Sequence, residues 1–129
     1  MSAGRVTSGG RAMRGALCYQ AGRVAEDTVA ERYRRNGLTI AGRRWRGTGG
    51  EIDLIARDGE AVVFIEVKKS RSHARAAERL SQRQIARLFS AASEFLAGEP
   101  KGQLTEARFD VALVDGTGQV EILENALVA

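Results

Sequence analysis

The segment at residues 51–68, EIDLIARDGEAVVFIEVK, constrains the fold of this chain more than any other. Two runs of aliphatic and β-branched residues flank an Asp-Gly dipeptide at Asp58 and Gly59, and Asp-Gly is favoured in the two-residue turns of β-hairpins. In the second run, the side chains on both faces of the strand are apolar as far as Glu66 and Lys68, which is typical of a central strand. The segment therefore predicts a hairpin whose second strand is buried.

The predicted hairpin places charged side chains on one face. With the Asp-Gly dipeptide as the turn, Asp53 and Glu66 are diagonal neighbours on adjacent strands, roughly 7 Å apart at the backbone. Because side chains alternate along a strand, Lys68 lies on the same face as Glu66, with Glu51 beside them. Two carboxylates at this separation can share one metal ion, with an amine next to it.

The composition limits what kind of metal site is possible. The 129-residue chain has one cysteine, Cys18, and one histidine, His73, which argues against an internal disulfide and against zinc sites built from several such residues. A metal would be held mainly by oxygen, which points to Mg²⁺ or Mn²⁺. No apolar run approaches the ~18 residues of a membrane span, and the basic N-terminus is not followed by a signal-peptide core. We therefore expect a cytoplasmic protein with no membrane association.

The basic residues are mostly arginine, and they are unevenly distributed. Seventeen of the twenty are Arg; residues 1–50 carry ten of them against three acids, whereas residues 51–129 carry ten basic residues against thirteen acids. The planar guanidinium group suits phosphate oxygens, so this bias favours a polyanionic partner such as nucleic acid. Many basic domains bind no nucleic acid, and the bias indicates a class of partner only.

The rest of the chain predicts one α/β domain at residues 21–129, preceded by a flexible basic tail at residues 1–20. The expected elements are a helix, three strands, a helix and two strands, at residues 22–36, 38–45, 51–57, 60–68, 74–97, 107–114 and 120–123. A strand, a helix and a strand in succession form a βαβ unit with a parallel pair. The predicted fold is therefore a three-layer αβββαβ core around a central mixed β-sheet. Between the first two strands, the glycines of residues 47–50 are expected to allow a bend or a close backbone approach.

Glu26 lies on the stripe of the first helix that ought to be buried, because Val29, Ala30 and Tyr33 follow it at i+3, i+4 and i+7. A buried carboxylate is costly unless it is paired or bound to a cation. Two interpretations are open. Either Glu26 lies at the edge of the stripe and reaches water or an arginine, or it points at the same metal as the hairpin acids.

The second predicted helix carries arginines at i+4 steps, which form a ridge along its surface. Such a ridge is either a solvated face or a track for phosphate groups, and the sequence leaves both interpretations open. The arginines considered as nucleic-acid contacts, on this helix and near it, are Arg46, Arg71, Arg75, Arg79, Arg83 and Arg87.

The hairpin residues match the needs of phosphodiester hydrolysis, which requires a nucleophilic water, charge relief on the phosphate and a stabilised leaving oxygen. Mg²⁺ held by Asp53 and Glu66, with the backbone carbonyl of Val67 as a further ligand, would supply much of this. Lys68 would orient or deprotonate the water, or neutralise the transition state. A Glu-x-Lys pair alone is common as an exposed salt bridge, but Asp53 on the same face of a buried hairpin makes the pattern more specific.

Three motifs, GGEIDLIARDG, VFIEVK and RFDV, resemble the bacterial YraN-like family, which belongs with the PD-(D/E)XK nuclease-like superfamily. The resemblance covers about residues 20–127 and implies a restriction-endonuclease-like core. It matches Asp53, Glu66 and Lys68 to the acid-acid-lysine signature, Glu26 to the glutamate of the first helix, and Gln84 to a polar site on the second helix. The chain departs from the family pattern after the lysine, where the arginine is displaced by one position.

Three functions follow from these observations. The first is a Mg²⁺- or Mn²⁺-dependent endonuclease acting on DNA, with branched or damaged DNA as a substrate and Asp53, Glu66, Lys68 and Glu26 as catalytic residues. The second is a nucleic-acid-binding domain of the same fold without turnover. The third is a protein-interaction module whose hairpin charges form only salt bridges. A homodimer would suit an enzyme that cuts both strands of a duplex, although no segment of the sequence identifies an interface.

Overall fold

The computed structural model describes residues 9–69 and 80–127. Its elements, in chain order, are α1 (Gly9–Arg35), β1 (Thr39–Arg46), β2 (Glu51–Asp58), β3 (Ala61–Lys69), α2 (Gln82–Leu96), a short 3₁₀-helix (Gly102–Leu104), β4 (Ala107–Val114) and β5 (Val120–Leu123). The strands form one five-stranded sheet in the order β1-β2-β3-β4-β5. Of the described strands, β3 and β4 pair in parallel, and the other pairs are antiparallel. The expected α/β fold with a mixed sheet is confirmed.

Helices α1 and α2 cover opposite faces of the sheet and make three layers. The buried side chains of α1 are Ala25, Val29, Ala30 and Tyr33, which pack on one face. Those of α2 are Leu88, Ala91, Ala92 and Leu96, which pack on the other. Fully burying a large apolar side chain is worth about 1.5–3 kcal/mol, so hydrophobic burial on both faces is what fixes the helices to the sheet.

Helix α1 begins earlier than the sequence pattern predicted. It starts at Gly9, so residues 9–20 of the expected flexible tail are helical, while residues 1–8 lie outside the described part of the chain. Its predicted C-terminal end is close to the observed one, because Gly37 takes a left-handed conformation (φ +94°) just beyond the last turn. Neither helix of residues 9–69 and 80–127 is long and apolar enough to cross a membrane.

Helix α2 begins later than predicted, at Gln82 rather than near residue 74. Ser81 forms a capping box with Gln84: the Ser81 hydroxyl accepts the Gln84 backbone N–H (3.1 Å), and the Gln84 side-chain oxygen accepts the Ser81 N–H (3.0 Å). Of the predicted arginine ridge, α2 therefore carries Arg83 and Arg87. The other two ridge positions, Arg75 and Arg79, and the candidate contact Arg71 lie outside the described residues.

The hairpin turn differs from the prediction by one residue. Asp58 pairs with Ala61, so Gly59 and Glu60 form the two-residue turn. Gly59 has φ +64°, whereas Glu60 does not take a positive φ. A positive φ at the first turn position alone is typical of a type II′ turn, in which glycine occupies that position.

The strand register consequently differs from the prediction by two residues. Leu54 pairs with Ile65, so the next position along brings Asp53 opposite Glu66 rather than diagonal to it. An even shift leaves the paired residues 54–58 and 61–65 on their predicted faces, whereas a shift of one would have reversed the faces. The predicted register is therefore wrong, but the predicted faces of these pairs hold. Ile52, beyond them, packs on the α2 side and not on the predicted side of Leu54.

Asp110, the acid of the RFDV motif, is buried on the α1 face and fully hydrogen-bonded. Its carboxylate accepts hydrogen bonds from the Tyr33 hydroxyl (2.7 Å), the Arg108 guanidinium (3.0 Å) and the backbone N–H of Asn125 (2.9 Å). Burial, together with the Asp110 carboxylate, raises the pKa of Tyr33. This network ties α1 and the C-terminal segment to β4, which gives Asp110 a structural role.

Candidate active site

Two carboxyl groups from adjacent strands meet at the end of the hairpin that is remote from its turn. Asp53 of β2 and Glu66 of β3 line the same cavity and each affects the ionisation of the other, and the Val67 backbone N–H donates to Asp53 Oδ2 (2.8 Å). Two adjacent carboxylates repel each other, so each makes the other harder to ionise. The metal-free pair therefore takes up its second negative charge less readily than its first.

The electrostatics of this pair are dominated by burial. Removal from water raises the pKa of both acids, and the Asp53 charge adds to the effect on Glu66, whose pKa rises to about 8. The Lys68 ammonium, 3.6 Å from Glu66 Oε2, acts in the opposite direction but does not outweigh burial. A divalent cation would favour the ionised form of both acids, because its charge reverses the sign of the local field.

The acid pair opens into a cavity of about 520 Å³ between the strand ends and α2. Its lining residues are Arg46, Gly47, Thr48, Gly49, Gly50, Glu51, Asp53, Glu66, Gln84, Arg87 and Leu88. Arg46 is largely exposed and lies 4.0 Å from Glu51. Arg87 forms no ion pair with the residues that the structure describes. Because the Gln84 side-chain oxygen accepts the capping hydrogen bond, its amide N–H groups stay available as donors. The cavity thus combines two acids with cationic and neutral donors.

The glycine loop at residues 47–50 forms one wall of this cavity and lies directly on α2. A Cβ atom on Gly49 would come within 2.0 Å of Ser90 Oγ, and one on Gly50 within 2.7 Å of the Arg87 carbonyl oxygen. Only glycine fits these positions, which agrees with the predicted close backbone approach.

Glu94 of α2 holds the same loop through hydrogen bonds. Its carboxylate accepts the backbone N–H groups of Thr48 (3.0 Å) and Gly49 (3.1 Å) and the Thr48 hydroxyl (2.6 Å). These hydrogen bonds lower the pKa of Glu94. Sequence reasoning missed this contact, because a glutamate on the polar side of a helix gives no sign that a loop 46 residues away lies over it.

Glu26 does not line the acid-pair cavity. Its carboxylate accepts a hydrogen bond from Arg44 Nε (3.1 Å), and its side chain is 12% exposed. It lines a separate cavity of about 170 Å³ together with four charged neighbours, Arg23, Asp27, Arg43 and Arg44. Of the two interpretations, the structure agrees with the one in which Glu26 reaches an arginine.

The donor set at the acid pair fits Mg²⁺ or Mn²⁺ better than a metal that needs a complete protein cage. Within residues 9–69 and 80–127, no group of three or more His, Cys, Asp or Glu side chains is arranged to hold an ion. Mg²⁺ commonly binds through one or two carboxylates and completes its octahedron with water and substrate phosphate. Asp53 and Glu66 would be those carboxylates. Val67 contributes an N–H to Asp53, and its carbonyl as a metal ligand stays a prediction.

Comparison with known proteins gives a family without an activity. Residues 25–114 match the family model described as "Uncharacterised protein family UPF0102". A UPF0102 protein of Cereibacter sphaeroides is 65% identical over 117 residues, which cover 91% of this chain and 100% of the relative. A UPF0102 protein of Ruegeria pomeroyi is 62% identical over 115 residues, covering 89% and 94%. One from Dinoroseobacter shibae is 44% identical over 115 residues, covering 89% and 86%.

Proposed function

Because this chain belongs to the UPF0102 family, whose description states no activity, we propose its function from the site itself: a metal-dependent nuclease that hydrolyses phosphodiester bonds in DNA. Branched or damaged DNA is the substrate we favour. The proposal includes a cytoplasmic location and a homodimer as the arrangement that would cut both strands of a duplex.

The observation that carries the proposal is that Asp53 and Glu66 line one cavity, with the Lys68 ammonium 3.6 Å from Glu66. Two partly buried acids whose pKa values are raised cost the protein stability when no cation is present. An ordinary structural salt bridge pairs each acid with a cation, whereas here Asp53 and Glu66 both lie beside the Lys68 ammonium. The resemblance of these three residues to the acid-acid-lysine signature of PD-(D/E)XK nucleases supports the same assignment.

In the proposed reaction, each residue has a task set by its position. Bound Mg²⁺ or Mn²⁺ would supply charge relief and lower the pKa of a bound water. Asp53, oriented by the Val67 N–H, and Glu66 would hold the ion. As an ammonium, Lys68 would hold the attacking water at its Nζ and stabilise negative charge on the phosphate. As a neutral amine, it would instead take the proton that this water loses when it attacks.

The cationic and neutral donors around the cavity would bind the substrate backbone. Arg87 is available for this because no described carboxylate neutralises it, and Arg46 has only a long contact with Glu51. The amide of Gln84 would donate to a phosphate oxygen. Arg83 lies exposed one position before Gln84 and would add charge nearby.

A nucleic-acid-binding domain without turnover is the second candidate. The observation in its favour is that no third acid joins the pair among the described residues, so a metal would depend strongly on substrate and water ligands. This candidate predicts salt-dependent binding with no cleavage in any divalent metal.

Cleavage assays separate the two candidates. The wild-type protein would be incubated with Mg²⁺ or Mn²⁺ and with branched, nicked and single-stranded DNA, beside the variant Asp53→Ala/Glu66→Ala. A matched control is Asp58→Ala/Glu60→Ala, which removes two exposed acids from the same hairpin. We expect cleavage by the wild type and the control and none by the acid-pair variant. Equal cleavage by all three proteins would exclude the assignment.

A further inference from the structure

Arg44, the ion-pair partner of Glu26, has an unusual backbone conformation for a residue within a strand. Its φ is +48°, in the left-handed region that a residue with a Cβ rarely adopts because the conformation is strained. It nevertheless lies inside β1, where φ is normally negative. Its guanidinium donates to the nearly buried carboxylate of Glu26 on α1.

The left-handed residue changes which way β1 faces. Arg43, just before it, forms an ion pair with Asp27 of α1, whereas Trp45, just after it, packs edge-on against Phe95 of α2. Two residues that are two apart in a regular strand would point to the same face. In β1 they point to opposite faces, and Arg44 is the residue between them.

The neighbouring strand, β2, has the same irregularity at the residue opposite Arg44. In β2, Leu54 packs in the core on the α1 side, whereas Ile52 packs in the core on the α2 side. The residue between them is Asp53. The pairs Arg43–Leu54 and Trp45–Ile52 enclose positions 44 and 53, so Arg44 and Asp53 lie opposite each other and both strands lose their alternation there.

This irregularity explains how Asp53 reaches its hydrogen-bond partner. A side chain on a regular strand stands roughly perpendicular to the sheet and does not meet the main chain of the next strand. The Asp53 carboxylate instead accepts the main-chain N–H of Val67 in β3, just beyond the last regular pair of β2 and β3, Leu54–Ile65. The departure from regular pleating directs Asp53 along the sheet, toward Val67 and Glu66.

We infer that Glu26 is a positioning residue: by binding Arg44 it holds the left-handed backbone of β1, which aims the Asp53 carboxylate at Val67 and Glu66. Glu26 thereby supports the acid pair from the α1 side of the sheet without contacting Asp53 or Glu66. The inference rests on the proposed function only in treating the acid pair as a metal site.

The contrast between Arg44→Gly and Arg44→Ala tests this inference, since both remove the partner of Glu26. Glycine adopts a positive φ without steric cost, whereas alanine does not. We expect Arg44→Gly to keep the wild-type arrangement and Arg44→Ala to lose it. Glu26→Ala should behave like Arg44→Ala, and adding Glu26→Ala to Arg44→Gly should change nothing further. Asp27→Ala, which removes the neighbouring acid paired with Arg43, is the matched control.

Two measurements read the result. In metal-free protein, hydrogen exchange of the Val67 amide should become at least about tenfold faster when Asp53 turns away, with the Ile65 amide as internal reference. Mn²⁺ affinity should fall about 10–100-fold in the same variants, the range typical of groups that orient metal ligands. The inference is overturned if the Val67 amide exchanges at the same rate in Arg44→Gly and Arg44→Ala, or if Glu26→Ala leaves this amide as protected from exchange as in the wild type. Because the exchange is measured without metal, it decides the positioning role even if no variant binds Mn²⁺ or cuts DNA.

Discussion

Replacing Glu66 by glutamine should stabilise the metal-free protein, and by more at pH 8 than at pH 5. The pKa of Glu66 is about 8 in the folded protein, against an ordinary value of 4.5. Between these two values the folded state keeps a proton that the unfolded state releases, so stability falls as pH rises. Below about 4.5 both states are protonated and the group contributes nothing, and above about 8 the loss is complete. The introduced glutamine is not ionised, and its amide can donate a hydrogen bond to Asp53.

The magnitude follows from the width of this pH window. A pKa difference of one is worth 1.36 kcal/mol, so the window from 4.5 to about 8 sets an upper limit of about 4–5 kcal/mol. Asp53 and Glu66 titrate as a pair, so part of this loss belongs to Asp53 and remains in the variant. We therefore expect Glu66→Gln to gain about 1–3 kcal/mol relative to wild type between pH 5 and pH 8, or about 3–10 °C in Tm.

Thermal denaturation in EDTA from pH 5 to pH 9 measures the effect, with Glu60→Gln as the control because Glu60 is an exposed acid of the same hairpin. Adding Mn²⁺ should stabilise the wild type increasingly as pH rises and should have much less effect on Glu66→Gln. Parallel Tm curves for wild type and Glu66→Gln would refute the reasoning, as would a lower Tm for the variant at pH 8. Either result would mean that Glu66 has no unfavourable charge in the folded protein.

Three further predictions concern the lysine, the glycine loop and the arginine of the cavity. Lys68→Met should reduce DNA cleavage at least about 100-fold while changing Mn²⁺ affinity less than about tenfold, as cleavage rates and calorimetric titration would show; a large loss of Mn²⁺ affinity would contradict the assigned role. Gly49→Ala should destabilise the protein by about 1–3 kcal/mol because its Cβ would lie within 2.0 Å of Ser90 Oγ, and Ser90→Ala should recover part of the loss in urea denaturation; independent, additive effects would count against the contact. Arg87→Ala should weaken DNA binding in fluorescence anisotropy titrations, and it should reduce by about one the slope of log affinity against log salt concentration. Replacing Arg34, an exposed arginine of α1, by Ala should change neither the affinity nor this slope.

The hairpin shows how far local sequence rules reach. Its strands and faces could be predicted because alternation is a property of residues two apart, and the turn had to contain Gly59. Whether Gly59 takes the first or the second turn position was not decided by the dipeptide, and the structure places it first, with φ +64°. The resulting shift is even, so Asp53 and Glu66 stay on one side and move from diagonal to directly opposed.

The start of α2 was predictable in principle. Ser81 and Gln84 have the spacing of a capping box, but the arginine spacing upstream favoured a longer helix and obscured the signal. Glu26 differs from this case. Its position on the apolar stripe of the helix could be predicted from the sequence, but its partner could not. Arg44 has a left-handed backbone conformation that no local sequence pattern predicts.

The sequence by itself determined the elements, their buried faces and the acids and lysine that share a side of the hairpin, because these depend on residues a few positions apart. The tertiary structure alone decided which groups meet: Glu26 with Arg44, and the glycine loop with Glu94. Such contacts depend on how helices and strands separated by tens of residues pack on one sheet, and on where a strand departs from regular alternation. The direction of Asp53 toward Val67 is set by that packing and not by the order of residues around it.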